Sequence, residues 1–208
     1  MLTILAIAAS ATLAIYWEKR SPAIWHYILK PLTTLGIILV VLSHAETFNN
    51  LYLQLILLGL IFCLAGDIFL MLPKDRFLPG LVSFLMGQIL YASAFIRSAS
   101  DFSLLIGLPI LIYGIWMFYL LQPHLGQMKI AVLVYMVFIL IMVWSALNLW
   151  WDIGELFAVY AAVGAVLFVI SDSVLAWNRF VSSHPLYRPL ILGSYFIAQF
   201  LIASSVIQ

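Results

Sequence analysis

Charge is the scarcest property of this sequence. Only 8% of its 208 residues are Asp, Glu, Lys or Arg, nine basic against eight acidic, while 66% are hydrophobic and the mean hydropathy is +1.17. Water-soluble domains carry about 25% charged residues, so an ordinary soluble fold is excluded. There is no dense basic run on which nucleic-acid binding would rest. Cysteine is nearly missing too. Cys63 stands alone in an apolar stretch, which excludes an intrachain disulfide or cysteine metal cluster and reads as a small buried hydrophobe. His26, His44, His124 and His184 fall in loops or at span ends without metal-ligand spacing, so neither metal nor cofactor is expected.

What is abundant is the long apolar stretch. A bilayer-spanning helix takes about 20 such residues. Eight candidates follow one another at 2–17, 26–44, 51–72, 78–97, 102–121, 128–148, 155–177 and 186–207. The expected fold is therefore all-α, a single bundle of eight transmembrane helices over residues 1–208, with no room for a peripheral catalytic domain. Pro22, Asn49-Asn50, Pro73, Pro123 and Pro185 fall between spans, Pro31 suits the first turn of the second helix, and Pro109 bends the fifth. Runs such as Leu55–Leu60 lack the alternation of a membrane β-barrel.

Loop charge sets an orientation. Lys19, Arg20, Lys30, Lys74, Arg76, Lys129, Arg179 and Arg188 fall on one side and only Arg97 on the other. By the positive-inside rule both termini lie outside and the odd-numbered loops in the cytoplasm, across what is expected to be a plasma membrane. Charge after the first span, not before it, argues for a retained helix over a cleaved signal peptide. Trp17, Trp25, Trp150, Trp151 and Trp177 stand at span boundaries, as in an interfacial belt.

Within the spans only two acids occur, Asp67 and Asp172, and an intramembrane ionisable residue is a functional hypothesis by default. They align at an offset of 105 residues, with Gly59 on Gly164 and Leu70 on Leu175, consistent either with a parallel repeat of spans 1–4 and 5–8 or with chance similarity of apolar segments. Each acid lies five residues before a span end, roughly 7–8 Å in, so the two are expected at equal depth, where they could meet in one cleft. The alternative is that each is a buried acid binding helices together. Gly66 and Ser171 precede them, permitting close packing, and Ser171 could donate to a neighbouring carboxylate. Gln88 and Tyr91 share a face of the fourth span, Tyr195 and Gln199 a face of the eighth, either as interhelical glue or as site lining. Lys30 reaches inward to a carboxylate or outward to lipid phosphate. Arg76 and Arg179, just beyond the Asp-bearing spans, mark topology or phosphate recognition.

Lys30-Pro31-Leu32-Thr33, Gly66-Asp67 with Leu70, Leu72 and Pro73, Tyr91, Ser171-Asp172 and the Tyr195–Gln199 helix together resemble the YhhN-like family of lysoplasmalogenases, from about residue 30 to residue 205. The resemblance implies an integral membrane ether hydrolase, with a lysophospholipid substrate drawn from the bilayer. It would cleave the vinyl ether of a lysoplasmalogen to a fatty aldehyde and glycerophospho-ethanolamine or -choline. Asp67 and Asp172 would be its two key acids. One position departs from the family pattern: Gln88 stands three residues before Tyr91 where a histidine is expected, and glutamine cannot shuttle a proton. The chemistry suits two carboxyls, one protonating the vinyl β-carbon while the other, ionised, stabilises the oxocarbenium ion and activates water. A small lipid or solute transporter and a purely structural subunit are the competing readings.

Overall fold

A computed structural model describes residues 9–14, 24–43, 50–72 and 75–206, and all regular structure among them is helical. In chain order the helices are α1 (9–14), α2 (Ile24–Ser43), α3 (Leu51–Met71), α4 (Phe77–Ser98), α5 (Leu104–Leu121), α6 (Lys129–Ile153), α7 (Leu156–Phe180) and α8 (Tyr187–Ser204). Two short 3-10 turns, Gln122–His124 and Gly126–Met128, join α5 to α6. Most of the expected first span, with Trp17, Lys19, Arg20 and Pro22, lies outside the described residues, as do His44, Pro73 and Lys74.

Five helical stretches are long and apolar enough to cross a bilayer: Leu51–Met71, Phe77–Ser98, Leu104–His124, Gly126–Ile153 and Leu156–Phe180. Their outward faces carry large apolar side chains that only lipid would cover, among them Leu104, Ile112, Ile115 and Tyr119 on α5 and Ile130 on α6. This is a multi-pass integral membrane protein. The sequence ends α6 and α7 too early: α6 continues to Ile153 before Gly154 stops it in the left-handed conformation at φ 70°, and α7 continues to Phe180. Pro31 is misplaced in the sequence reading as well. Because α2 begins at Ile24, the proline lies inside the helix rather than in its first turn. Trp177 is partly buried and packs against the Met117 and Leu121 cluster.

Two helix pairs pack most closely, α3 on α4 and α7 on α8. Glycine permits both approaches. A β-carbon at Gly59 would come within 2.3 Å of the Tyr91 ring, and one at Gly164 within 3.0 Å of the Ala198 carbonyl. The α3 start is capped by Asn50, whose side chain accepts from Tyr52 N at 2.9 Å, and Tyr52 in turn shares a 2.8 Å hydrogen bond with Ser205 beyond α8. Ser10 ties α1 to α2 through Thr33 at 2.8 Å. By contrast α5, with Pro109 inside it, packs chiefly on α6 and remains the most lipid-exposed span.

Candidate active site

The longer α7 changes the expected depths. Asp172 stands eight residues before the helix end at Phe180, whereas Asp67 stands four before Met71. At 1.5 Å per residue these are about 12 and about 6 Å, so the acids are not at matched distances from their helix ends. They also have separate partners.

Asp67 is fully buried. Lys30 of α2 places its Nζ 3.0 Å from Oδ1, while Thr34, one turn further along α2, and Tyr195 of α8 donate to Oδ2 at 2.9 and 2.8 Å. Lys30 is itself buried, its ammonium 5.9 Å from the Tyr195 ring centroid. Two opposite charges removed from water need further hydrogen bonds, and Thr34 and Tyr195 supply two of them, both to Oδ2. The Tyr195 ring then meets Phe84 and Phe168 edge-on, at centroid distances of 5.9 and 5.7 Å. Gly66 has a specific reason to lack a side chain: a β-carbon there would fall 2.8 Å from the Phe84 ring.

Asp172 is only half-buried and opens on a cavity of about 60 Å³. Tyr135 of α6 donates a short hydrogen bond to Oδ2, and Gln88 of α4 approaches the same oxygen with its amide nitrogen at 3.4 Å. The cavity walls are otherwise mainly apolar, built from Leu81, Phe84, Met117, Met136, Ile139 and Val169 among others, with Tyr113 and Ser173 sharing a 2.6 Å hydrogen bond. Asp67 is not part of this wall. Phe84 is, and it packs edge-to-face with Tyr195, the tyrosine that donates to Asp67. Of the two acids expected to meet in one cleft, Asp172 lines this cavity and Asp67 does not, its partners being Lys30, Thr34 and Tyr195.

The remaining expected site residues fall between the two acids or outside them. Tyr91 donates to Gln199 Oε1 at 2.8 Å, joining α4 to α8. Ser171 does not serve a carboxylate. Its hydroxyl donates to the Ile191 carbonyl at 2.9 Å and so fixes α7 to α8. Tyr135, Thr34, Tyr113 and Ser173 are missed by the sequence reading. Two signals were present: Thr34 follows Lys30 by four residues and shares its face, and Tyr135 follows Lys30 by the same 105 residues that separate the two acids.

At the end of the bundle carrying Arg76 and Lys129, the cavity is bounded by Phe77, which opens α4, and Phe180, which closes α7. Their rings meet edge-to-face at 5.5 Å. Arg179 lies 5.1 Å from the Phe77 ring centroid and pairs with Asp75 at 2.5 Å, and the Phe77 N–H donates to the same carboxylate. The Arg179 hydrogen bond, then that of Phe77, holds the Asp75 carboxyl below the usual carboxylate range.

A half-buried acid at the wall of a mainly apolar cavity, between membrane-spanning helices, is the candidate site of this multi-pass membrane protein. The chain belongs to the YhhN family, which it matches over residues 25–206. It is 31% identical to the lysoplasmalogenase TMEM86A of Bos taurus, over 96% of this chain and 86% of that protein. It is 27% identical to the uncharacterized membrane protein YhhN of Escherichia coli O6:H1, over 97% of both chains, and 32% identical to human lysoplasmalogenase TMEM86B over 76% of this chain and 65% of that one. No solved structure matches.

Proposed function

We propose that this protein is a lysoplasmalogenase, hydrolysing the vinyl ether of a 1-alkenyl-glycerophospholipid, with Asp172 as the reacting acid. The observation that carries the reading is the half-buried Asp172 on an apolar cavity, in a chain whose relatives include proteins named lysoplasmalogenase. Protonated Asp172 delivers its proton to the vinyl β-carbon, leaving an oxocarbenium ion beside the new carboxylate. That carboxylate stabilises the cation and takes a proton from the water adding to the adjacent carbon. It gives that proton to the glyceryl oxygen and takes up the hemiacetal's hydroxyl proton as the C–O bond breaks, so aldehyde and alcohol separate and Asp172 ends protonated, as it began. One carboxyl thus serves as acid and then base, and Tyr135 holds it in position.

Asp67 takes a different part in this reading. Ion-paired to Lys30, it is a positioning residue that fixes α2, α3 and α8 around the cavity. The partner helices support the view that spans 1–4 and 5–8 are repeated halves. Asp67 on α3 is met from α2 and α8, and Asp172 on α7 from the corresponding α6 and α4. The excess of basic residues supports a cytoplasmic position for the end bearing Arg76, Lys129 and Arg179, and in this reading substrate enters from that leaflet.

The test is aldehyde release from 1-alkenyl-lysophosphatidylethanolamine by the purified protein. Wild type is expected to turn over and Asp172→Asn to be inactive while folded. Full activity in Asp172→Asn sinks the assignment of the acid, and a wild type inert on every vinyl ether lysolipid sinks the activity.

A further inference from the structure

The Asp75–Arg179 pair is neither buried nor remote from the cavity. Its side chains are 68% and 45% exposed, yet Arg179 is held over Phe77, and Phe77 and Phe180 are both cavity walls. Arg179 follows Asp172 by seven residues on α7, two helical turns, so both lie on one face about 10 Å apart along the axis. An extended chain advances about 1.2 Å per bond, and seven bonds separate a vinyl ether β-carbon from the phosphorus of a glycerophospholipid, giving about 8–9 Å. A lipid with its β-carbon at Asp172 therefore has its phosphate at Arg179.

We infer that Arg179 and Asp75 form a receptor for a zwitterionic phospholipid head, Arg179 taking the phosphate and Asp75 the ammonium. The inference rests on the lysoplasmalogenase reading for its register. The charge order matches the ligand, because phosphate is nearer the glycerol and meets Arg179 on the cavity-lining helix, while the ammonium extends outward to Asp75 in the loop before α4. Guanidinium is suited to phosphate, which it binds through paired donors, and the Asp75 carboxylate accepts from a primary ammonium. Arg179 and Asp75 satisfy one another in the structure. An exposed pair of this kind contributes little to stability, so a ligand offering both counter-charges replaces it readily. The Phe77 and Phe180 rings form the adjacent apolar collar, against which the glycerol and first methylenes lie.

Saturated 1-alkyl ether lysolipids test this without turnover, since they lack the double bond to be protonated. Binding to wild type in detergent or nanodiscs is measured for three probes sharing one tail: 1-alkyl-lysophosphatidylethanolamine, 1-alkylglycerol phosphate and 1-alkylglycerol. The ethanolamine lipid is expected to bind tightest. Arg179→Ala should weaken both phosphate-bearing probes about tenfold and leave alkylglycerol unchanged, with Arg179→Lys intermediate. Asp75→Asn should erase the preference for ethanolamine over bare phosphate. The inference is overturned if Arg179→Ala and Arg179→Lys change all three probes equally or none of them, or if Asp75→Asn leaves the ethanolamine preference intact. Head-selective binding without any vinyl ether hydrolysis would defeat the activity reading alone. Hydrolysis with head selectivity indifferent to Arg179 and Asp75 would defeat this inference alone.

Discussion

Lys30 and Asp67 form a 3.0 Å ion pair outside the wall of the cavity on which Asp172 opens. The two acids of this chain thus have different immediate partners. Asp67 is paired with Lys30, and Asp172 accepts from the neutral donors Tyr135 and Gln88. An acid that must hold and release a proton belongs in the second setting.

The ion pair predicts a stability difference between the acids. Asp67→Asn leaves the buried Lys30 ammonium uncompensated and should destabilise the protein by about 3–5 kcal/mol. Asp172→Asn leaves no buried charge behind and should change stability by under about 1 kcal/mol. Unfolding of the purified variants in detergent separates the two, and the double variant Lys30→Met with Asp67→Asn should recover part of the first loss.

Tyr135→Phe removes one hydrogen bond to the reacting acid without altering the cavity wall. Hydrogen bonds to charged groups contribute about 1.5–3 kcal/mol, so kcat should fall between about tenfold and a hundredfold. A Tyr113→Phe control, on the same cavity but paired with Ser173, should lower kcat by less. Equal losses in the two variants would remove Tyr135 from its special place.

Arg179 and the Phe77 N–H hold the Asp75 carboxyl ionised below its ordinary value of 3.8. The pair's contribution is present above the ordinary value and is lost only as pH falls through the lowered one. Preference for an ethanolamine head, measured as the ratio of binding constants for the ethanolamine lipid and a phosphodiester probe without the ammonium (1-alkyl-lysophosphatidylmethanol), should therefore be flat from pH 8 to pH 5. A decline across that interval would place its control on another group.

Gly164→Val sets a branched side chain against the Ala198 carbonyl, a backbone atom that cannot turn away. It should force α7 from α8 and cost about 1–3 kcal/mol, with a lower unfolding temperature. Gly193→Ala, where the added carbon meets nothing within 4 Å, is the neutral comparison on α8.

Much of this arrangement was legible in the sequence, and the limits have a physical origin. Apolar length locates α3 to α8, and the shortage of charge isolates Asp67, Asp172 and Lys30. Periodicity correctly puts Gln88 with Tyr91, and Tyr195 with Gln199, on shared faces. Periodicity does not say which helix a face meets. That is why Ser171 was offered a carboxylate and found a backbone carbonyl instead, and why Tyr135, one tyrosine in a continuous apolar run, passed unnoticed beside the acid it serves. The contact of Phe84 with Phe168 and Tyr195 is a packing result of three helices, and no spacing rule encodes it.

The most direct test of the central claim is hydrolysis of a lysoplasmalogen in D2O, with the aldehyde reduced to the alcohol as it forms. Proton delivery by Asp172 from one side of the cavity predicts one deuterium at the former vinyl β-carbon, in a single configuration, and no product from Asp172→Asn. A racemic label, no deuterium at that carbon, or undiminished product from Asp172→Asn would contradict the account.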